Sequence, residues 1–119
     1  MSSFSITVVF ALVVAVPYCR SQESGYDFLK RAEYFADLYN WGTALPLFQK
    51  AEPLLRNAGD RRNAMYAHVG SLRLASIAPL TERSQELADV LSTDGLFLAD
   101  KDLRLFALTV KGELDGDVD

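Results

Sequence analysis

A chain of 119 residues is long enough for one small domain, and half of its residues are hydrophobic, so it has a core to bury and does not read as disordered. With 12 basic against 16 acidic residues the net charge is -4. That balance argues against nucleic-acid binding, which rests on neutralising phosphates, and against an anionic membrane surface.

The first segment stands apart from the rest. Ile6 to Val16 is apolar except for Thr7 and carries no charge, and Pro17 ends it. The run is shorter than the roughly 20 residues that span a bilayer. It matches the apolar part of a secretory signal peptide over residues 1–21, although residues 1–5 lack the usual basic start. Cleavage before Gln22 would leave an exported chain, secreted or periplasmic; an uncleaved N-terminal helix would anchor it instead. Cys19 is the only cysteine, so no internal disulfide can form. Loss of residues 1–21 removes Arg20 and no acid, leaving 11 basic and 16 acidic residues.

From Ser24 onward the pattern is helical, with no sustained period-two alternation. A first helix is expected over about Asp27 to Asn40, capped by Ser24 or Asp27, with Phe28, Ala32, Phe35 and Tyr39 on its apolar face. A second starts near Thr43 as cap. Its residues Trp41, Ala44, Phe48 and Ala51 fall at steps of 3, 4 and 3 on one stripe, large and small alternating, and are expected to be buried. Pro46 is expected in its first turn, where backbone N–H groups lack intrahelical partners, and Pro53 should kink the helix or end it early. Gly59 suits the left-handed residue after a helix, and Asp60 can cap a third helix from Arg61 to about Ser76. Pro79 precedes a fourth, Leu80 to about Leu91, with Leu80, Leu87, Ala88 and Leu91 inward. Asp94-Gly95 closes it, and Asp100 can cap a fifth helix over about Lys101 to Leu114.

The order is therefore helix, short link, helix, repeated, and short links make neighbouring helices antiparallel. Residues 66–70 (Tyr-Ala-His-Val-Gly) and 108–112 (Leu-Thr-Val-Lys-Gly) match in size order, and both end in glycine. Gly70 and Gly112 are both expected to permit close helix packing.

No catalytic constellation emerges. His68 is the sole histidine and has no metal-ligand or triad partner in the sequence pattern. There is no glycine-rich phosphate loop, and no serine or threonine has an evident base. Asp115, Asp117 and Asp119 sit at steps of two, like the start of a calcium loop, but the later ligands are missing. They are expected to be an acidic helix end or a solvated tail. The chain thus reads as a non-enzyme with no metal or cofactor.

Ala44, Phe48 and Ala51, with Trp41 before them, resemble the second-helix pattern of the tetratricopeptide repeat family. Tyr66, Val69 and Gly70 resemble its first-helix pattern. The link Ala58 to Ala64 is similar to those of large bacterial signalling proteins. The resemblance covers about Gly25 to Asp119, with departures at Arg31 and Lys111, where leucine is expected, at Pro53, and around Leu87. It implies an all-α stack of antiparallel helical hairpins, about two and a half repeats over residues 22–119, incomplete at the C-terminus. It also implies a non-catalytic scaffold that binds a protein or peptide in a groove lined by each first helix. Carried over by position, that groove would hold Leu29, Glu33 and Asp37, then Ala67, Ser71 and Leu74, then Glu113 and Asp117. Its acidic rim and partly apolar floor imply a basic or apolar partner. The alternative is a regulatory fragment of a larger signalling or enzymatic protein whose output domain lies beyond Asp119. With Leu105, Phe106, Leu108 and Val110 uncovered, the last helix is expected to support a homodimer.

Overall fold

The structure, a computed structural model, describes residues 24–116. The signal-peptide segment and the acids Asp117 and Asp119 lie outside these residues. Six helices and no strands make up the described part: α1 Gly25–Asp37, α2 Trp41–Asn57, α3 Arg61–Leu74, α4 Leu80–Thr93, α5 Leu96–Ala99 and α6 Lys101–Asp115. None is long and apolar enough to cross a membrane.

Local chemistry sets most of the boundaries. Ser24 and Asp27 form a reciprocal capping box that starts α1 two residues before the expected position. Two turns then repeat the same geometry. After α1 the N–H of Asn40 donates to the carbonyl of Phe35 and that of Tyr39 to Ala36; after α2 Asp60 donates to Leu55 and Gly59 to Arg56. Both are Schellman closures, which need a left-handed residue. Gly59 fills the second at φ 81°, as expected, but Tyr39 fills the first at φ 58°. Asn40 and Asp60 each accept from the backbone N–H three residues on, and so cap α2 and α3. Thr43 is therefore not the cap of α2 but supplies the N–H that Asn40 accepts. Asp100 caps α6 in the same way.

The prolines behave differently from the sequence expectation. Pro46 lies past the first turn, and Pro53 does not stop α2, which runs on to Asn57. Both are solvent-exposed, as are Gly42 and Gln49 one turn before them, so water can satisfy the carbonyls that lose a donor.

Two hydrophobic cores share α3. The first joins Leu29 and Ala32 of α1, Ala44, Leu47, Phe48, Ala51 and Leu55 of α2, and Ala64 and Ala67 of α3. The stripe Ala44, Phe48, Ala51 is buried as expected. Its alanines let the helices approach, and the Phe48 ring lies flush against Gly70, where an added Cβ would fall 2.7 Å from a ring atom. Gly112 is unlike Gly70: no neighbouring atom lies within 4 Å of its Cβ position, so it serves no close packing. Trp41 and Tyr39 also depart from the expected core, remaining 38% and 78% exposed.

The second core joins Met65, Val69 and Leu72 of α3 to Leu87, Phe97 and four residues of α6, Leu103, Ala107, Val110 and Leu114. The short helix α5, not anticipated from the sequence, delivers Phe97 into it. Leu80 points to solvent rather than inward. Arg83 is buried beneath the link from α3 to α4. Its guanidinium donates to the carbonyls of Leu72 at 2.8 Å, Arg73 at 3.2 Å and Ala78 at 3.1 Å. It thereby supplies donors to the C-terminal end of α3, where no capping glycine is present.

Cross-helix contacts fix the directions. Trp41 meets Arg73, and Phe48 meets Gly70, so α2 and α3 are antiparallel. Arg61 reaches Asp94, His68 reaches Glu86, and Arg83 reaches Leu72, so α3 and α4 are antiparallel too. In contrast, Arg62–Asp100, Tyr66–Phe106 and Arg73–Glu113 join α3 to α6 at a nearly constant offset, 38 to 40 residues, so these two run parallel. On α6, Val110 is buried and Phe106 half-buried, while Leu105 and Leu108 face outward.

Candidate functional site

The most distinctive surface lies where α1, α3 and α6 come together. Tyr66 of α3 and Phe106 of α6 stack with ring centres 4.3 Å apart and planes 13° from parallel. Arg62 lies over the Tyr66 ring, 5.4 Å from its centre, and donates through Nε to Asp100 at 2.9 Å. That guanidinium and the Leu103 N–H hold the Asp100 carboxyl below its ordinary value, the N–H contributing more. Arg62, Tyr66 and Arg73 recur on α3 at steps of 4 and 7, one stripe of cations around an aromatic.

Beside this stack is a cavity of about 250 Å³ lined by Glu33, Ala36 and Asp37 of α1, Phe48 of α2, Tyr66 and Arg73 of α3, and Phe106 of α6. Glu33 pairs with exposed Lys30 at 3.3 Å. Asp37 has no ion-pair partner among the described residues. Burial raises the Tyr66 phenol above its ordinary value, and the nearby Glu33 and Asp37 carboxylates add to the rise against an opposing effect of Arg62. The phenol therefore stays neutral at physiological pH and keeps its O–H as a donor.

Arg73 forms one wall. It grips Glu113 through two hydrogen bonds, Nε to Oε2 at 2.8 Å and Nη2 to Oε1 at 3.0 Å, and its guanidinium lies 5.5 Å from the ring centre of Trp41. On its other side is a second cavity of about 410 Å³, lined by Trp41, Gly42, Leu45, Leu74, Ser76 and Glu113.

The residues carried over from the repeat resemblance separate into four groups. Glu33 and Asp37 line the groove, and Leu74 and Glu113 line the adjoining cavity. Leu29 and Ala67, at 2% and 0% exposure, are core residues with no surface to offer a partner. Ser71 is half-buried, donates to the carbonyl of its neighbour His68, and lines neither cavity. Asp117 lies outside the described residues. Tyr66, Arg73 and Trp41 were not singled out for the groove. The heptad step from Tyr66 to Arg73 is the signal that could have found the α3 pair, since it places both on one helix face.

His68 sits away from the groove, where it has two carboxylate neighbours the sequence pattern did not reveal. Its Nδ1 is 3.0 Å from Glu52 of α2 and its Nε2 is 3.1 Å from Glu86 of α4. The hydrogen bond to Glu52 raises the imidazole above its ordinary value, against partial burial, with Glu86 adding to the rise. Burial pushes the Glu52 carboxyl up, but hydrogen bonds from His68 and Arg56 outweigh it and leave the carboxyl lowered. With both ring nitrogens engaged, the group links three helices instead of presenting a free base. Among the described residues no group of three or more His, Cys, Asp or Glu side chains is placed to hold a metal ion. No family model, no curated protein and no solved structure matches the chain.

Proposed function

We propose that this chain is a non-catalytic scaffold, a short stack of tetratricopeptide-like hairpins that binds a peptide segment with basic or apolar character in the groove of α1, α3 and α6. The parallel pairing of α3 with α6 at an offset of 38 to 40 residues carries this reading. In this reading α3 and α6 are the equivalent helices of successive repeats, side by side and in register as a stack of units about that long requires. The groove's composition supports the partner chemistry. A stacked aromatic pair provides an apolar floor, and the acids Glu33 and Asp37 form the rim of one side. Rim charges of one sign favour and orient a partner of the other.

The test is binding of labelled peptides of fixed length and graded charge, followed by anisotropy at two salt concentrations. Basic peptides should bind most tightly, with affinity falling as salt rises. Glu33→Lys combined with Asp37→Lys should weaken that binding about tenfold, the scale of two partly exposed charge contacts. Tightest binding to acidic peptides, or indifference to the double reversal, would refute the proposal.

A further inference from the structure

The cavity beside Trp41 is a largely apolar recess that adjoins the groove. Trp41 opens α2, and its ring meets that of Tyr39 in a T-shaped pair, with centres 5.5 Å apart, and the guanidinium of Arg73. Leu45 and Leu74 form the rest of the apolar lining. Gly42 keeps the space open, since it has no side chain and no neighbouring atom lies within 4 Å of its Cβ position. The charges at this recess are Arg73 and Glu113, and they neutralise each other. On the far side of Arg73 the balance changes, because Asp37 faces the groove without an ion-pair partner among the described residues. Arg73 and Glu113 thus form a neutral ridge between an apolar recess and an acidic one.

We propose that the two recesses take one ligand: an extended peptide segment that seats a bulky apolar side chain beside Trp41, crosses the Arg73–Glu113 ridge, and places a lysine or arginine beside Asp37. This rests on the groove reading above and specifies its ligand. The recess of about 410 Å³ has room for a leucine or phenylalanine side chain. Tryptophan and arginine at a recess edge are the residue types that anchor interfaces. The Asp37 carboxylate supplies the charge complement that sets the direction in which the segment lies.

The test starts from a displayed library of random dodecapeptides selected on the full chain. Trp41 is the sole tryptophan, so its emission reports the recess directly. The expected consensus contains a bulky apolar residue and a basic residue a few positions apart, and the synthetic peptide shifts Trp41 emission. Gly42→Phe fills the recess and should weaken binding about 10- to 100-fold, the range that burial of one large apolar side chain spans. Ser76→Phe, at an exposed link position, gives the same block should Gly42→Phe fail to fold. Glu33→Lys with Asp37→Lys should weaken the same peptide about tenfold. A consensus that is basic only, leaves Trp41 emission unchanged and binds the Phe variants as tightly as wild type overturns this inference while the groove reading stands. An acidic consensus, or no enrichment at all, overturns both.

Discussion

Replacing Gly70 by alanine tests the central packing claim of the first core. An alanine Cβ at position 70 would lie 2.7 to 2.8 Å from three ring atoms of Phe48. Those separations are far inside van der Waals contact. The ring is buried with Ala44, Leu47 and Ala51 around it, so it has little room to retreat. Overpacking of this kind costs about 1–3 kcal/mol. Against that stands the gain of about 0.5–1 kcal/mol from removing a glycine from a helix interior. At the midpoints of these ranges the net expectation is a loss of about 1 kcal/mol, or a fall in Tm of roughly 4–8 °C for a domain of this size. Urea denaturation followed by circular dichroism measures it. Phe48→Leu removes the obstructing ring, so the double variant should lose less than the sum of the two single losses, by about 0.5–1 kcal/mol or more. Gly112→Ala is the control. With open space at its Cβ position it should gain about 0.5–1 kcal/mol from helix propensity alone. A Gly70→Ala protein as stable as wild type, or strict additivity with Phe48→Leu, would refute the reasoning.

Three further outcomes follow from single sites. Arg83→Met leaves the carbonyls of Leu72, Arg73 and Ala78 without their shared donor, and should cost about 1.5–3 kcal/mol in urea denaturation; Arg83→Lys should recover only part, because an ammonium lacks the guanidinium fork. His68 has a raised pKa in the fold, so its charged contacts with Glu52 and Glu86 stabilise fully below its unfolded value and are lost as pH rises through the folded value. Wild type should therefore lose more stability than His68→Gln as pH rises above the ordinary histidine value, and parallel Tm-against-pH curves would exclude the linkage. Tyr39→Gly should raise stability by about 0.5–1 kcal/mol, since φ 58° is strained for tyrosine and free for glycine; a loss would mean that the edge contact of Tyr39 with Trp41 outweighs the strain.

How far the sequence could be read depended on whether the deciding interaction was local. Asp60, Gly59 and Asp100 act on backbone groups within a few residues, so their capping and turn roles were legible directly. The Schellman turn at Tyr39 was missed because a tyrosine does not advertise a left-handed backbone, although Asn40 after it is a sound cap. The helix α5 was missed because four residues are too few to show a period, and its partner Phe97 is held by a core assembled from other helices.

By itself, then, the chain determined that helices form, where most begin and end, and that Ala44, Phe48 and Ala51 are a packing stripe, because helical period and capping act over at most a turn or two. Tertiary structure decided what each face meets. The central helix α3 is packed on both sides, so its periodicity could not assign Ala67 to core and Tyr66 to groove. Trp41 shares a stripe with buried residues, yet it lies at the helix end, where Arg73 and Tyr39 are its ring neighbours and solvent reaches it. Arg73 with Glu113 and Arg62 with Asp100 lie 38 to 40 residues apart in sequence, and His68 meets Glu52 and Glu86 on two other helices. Such pairs are created by the arrangement of helices in space, which no local pattern encodes.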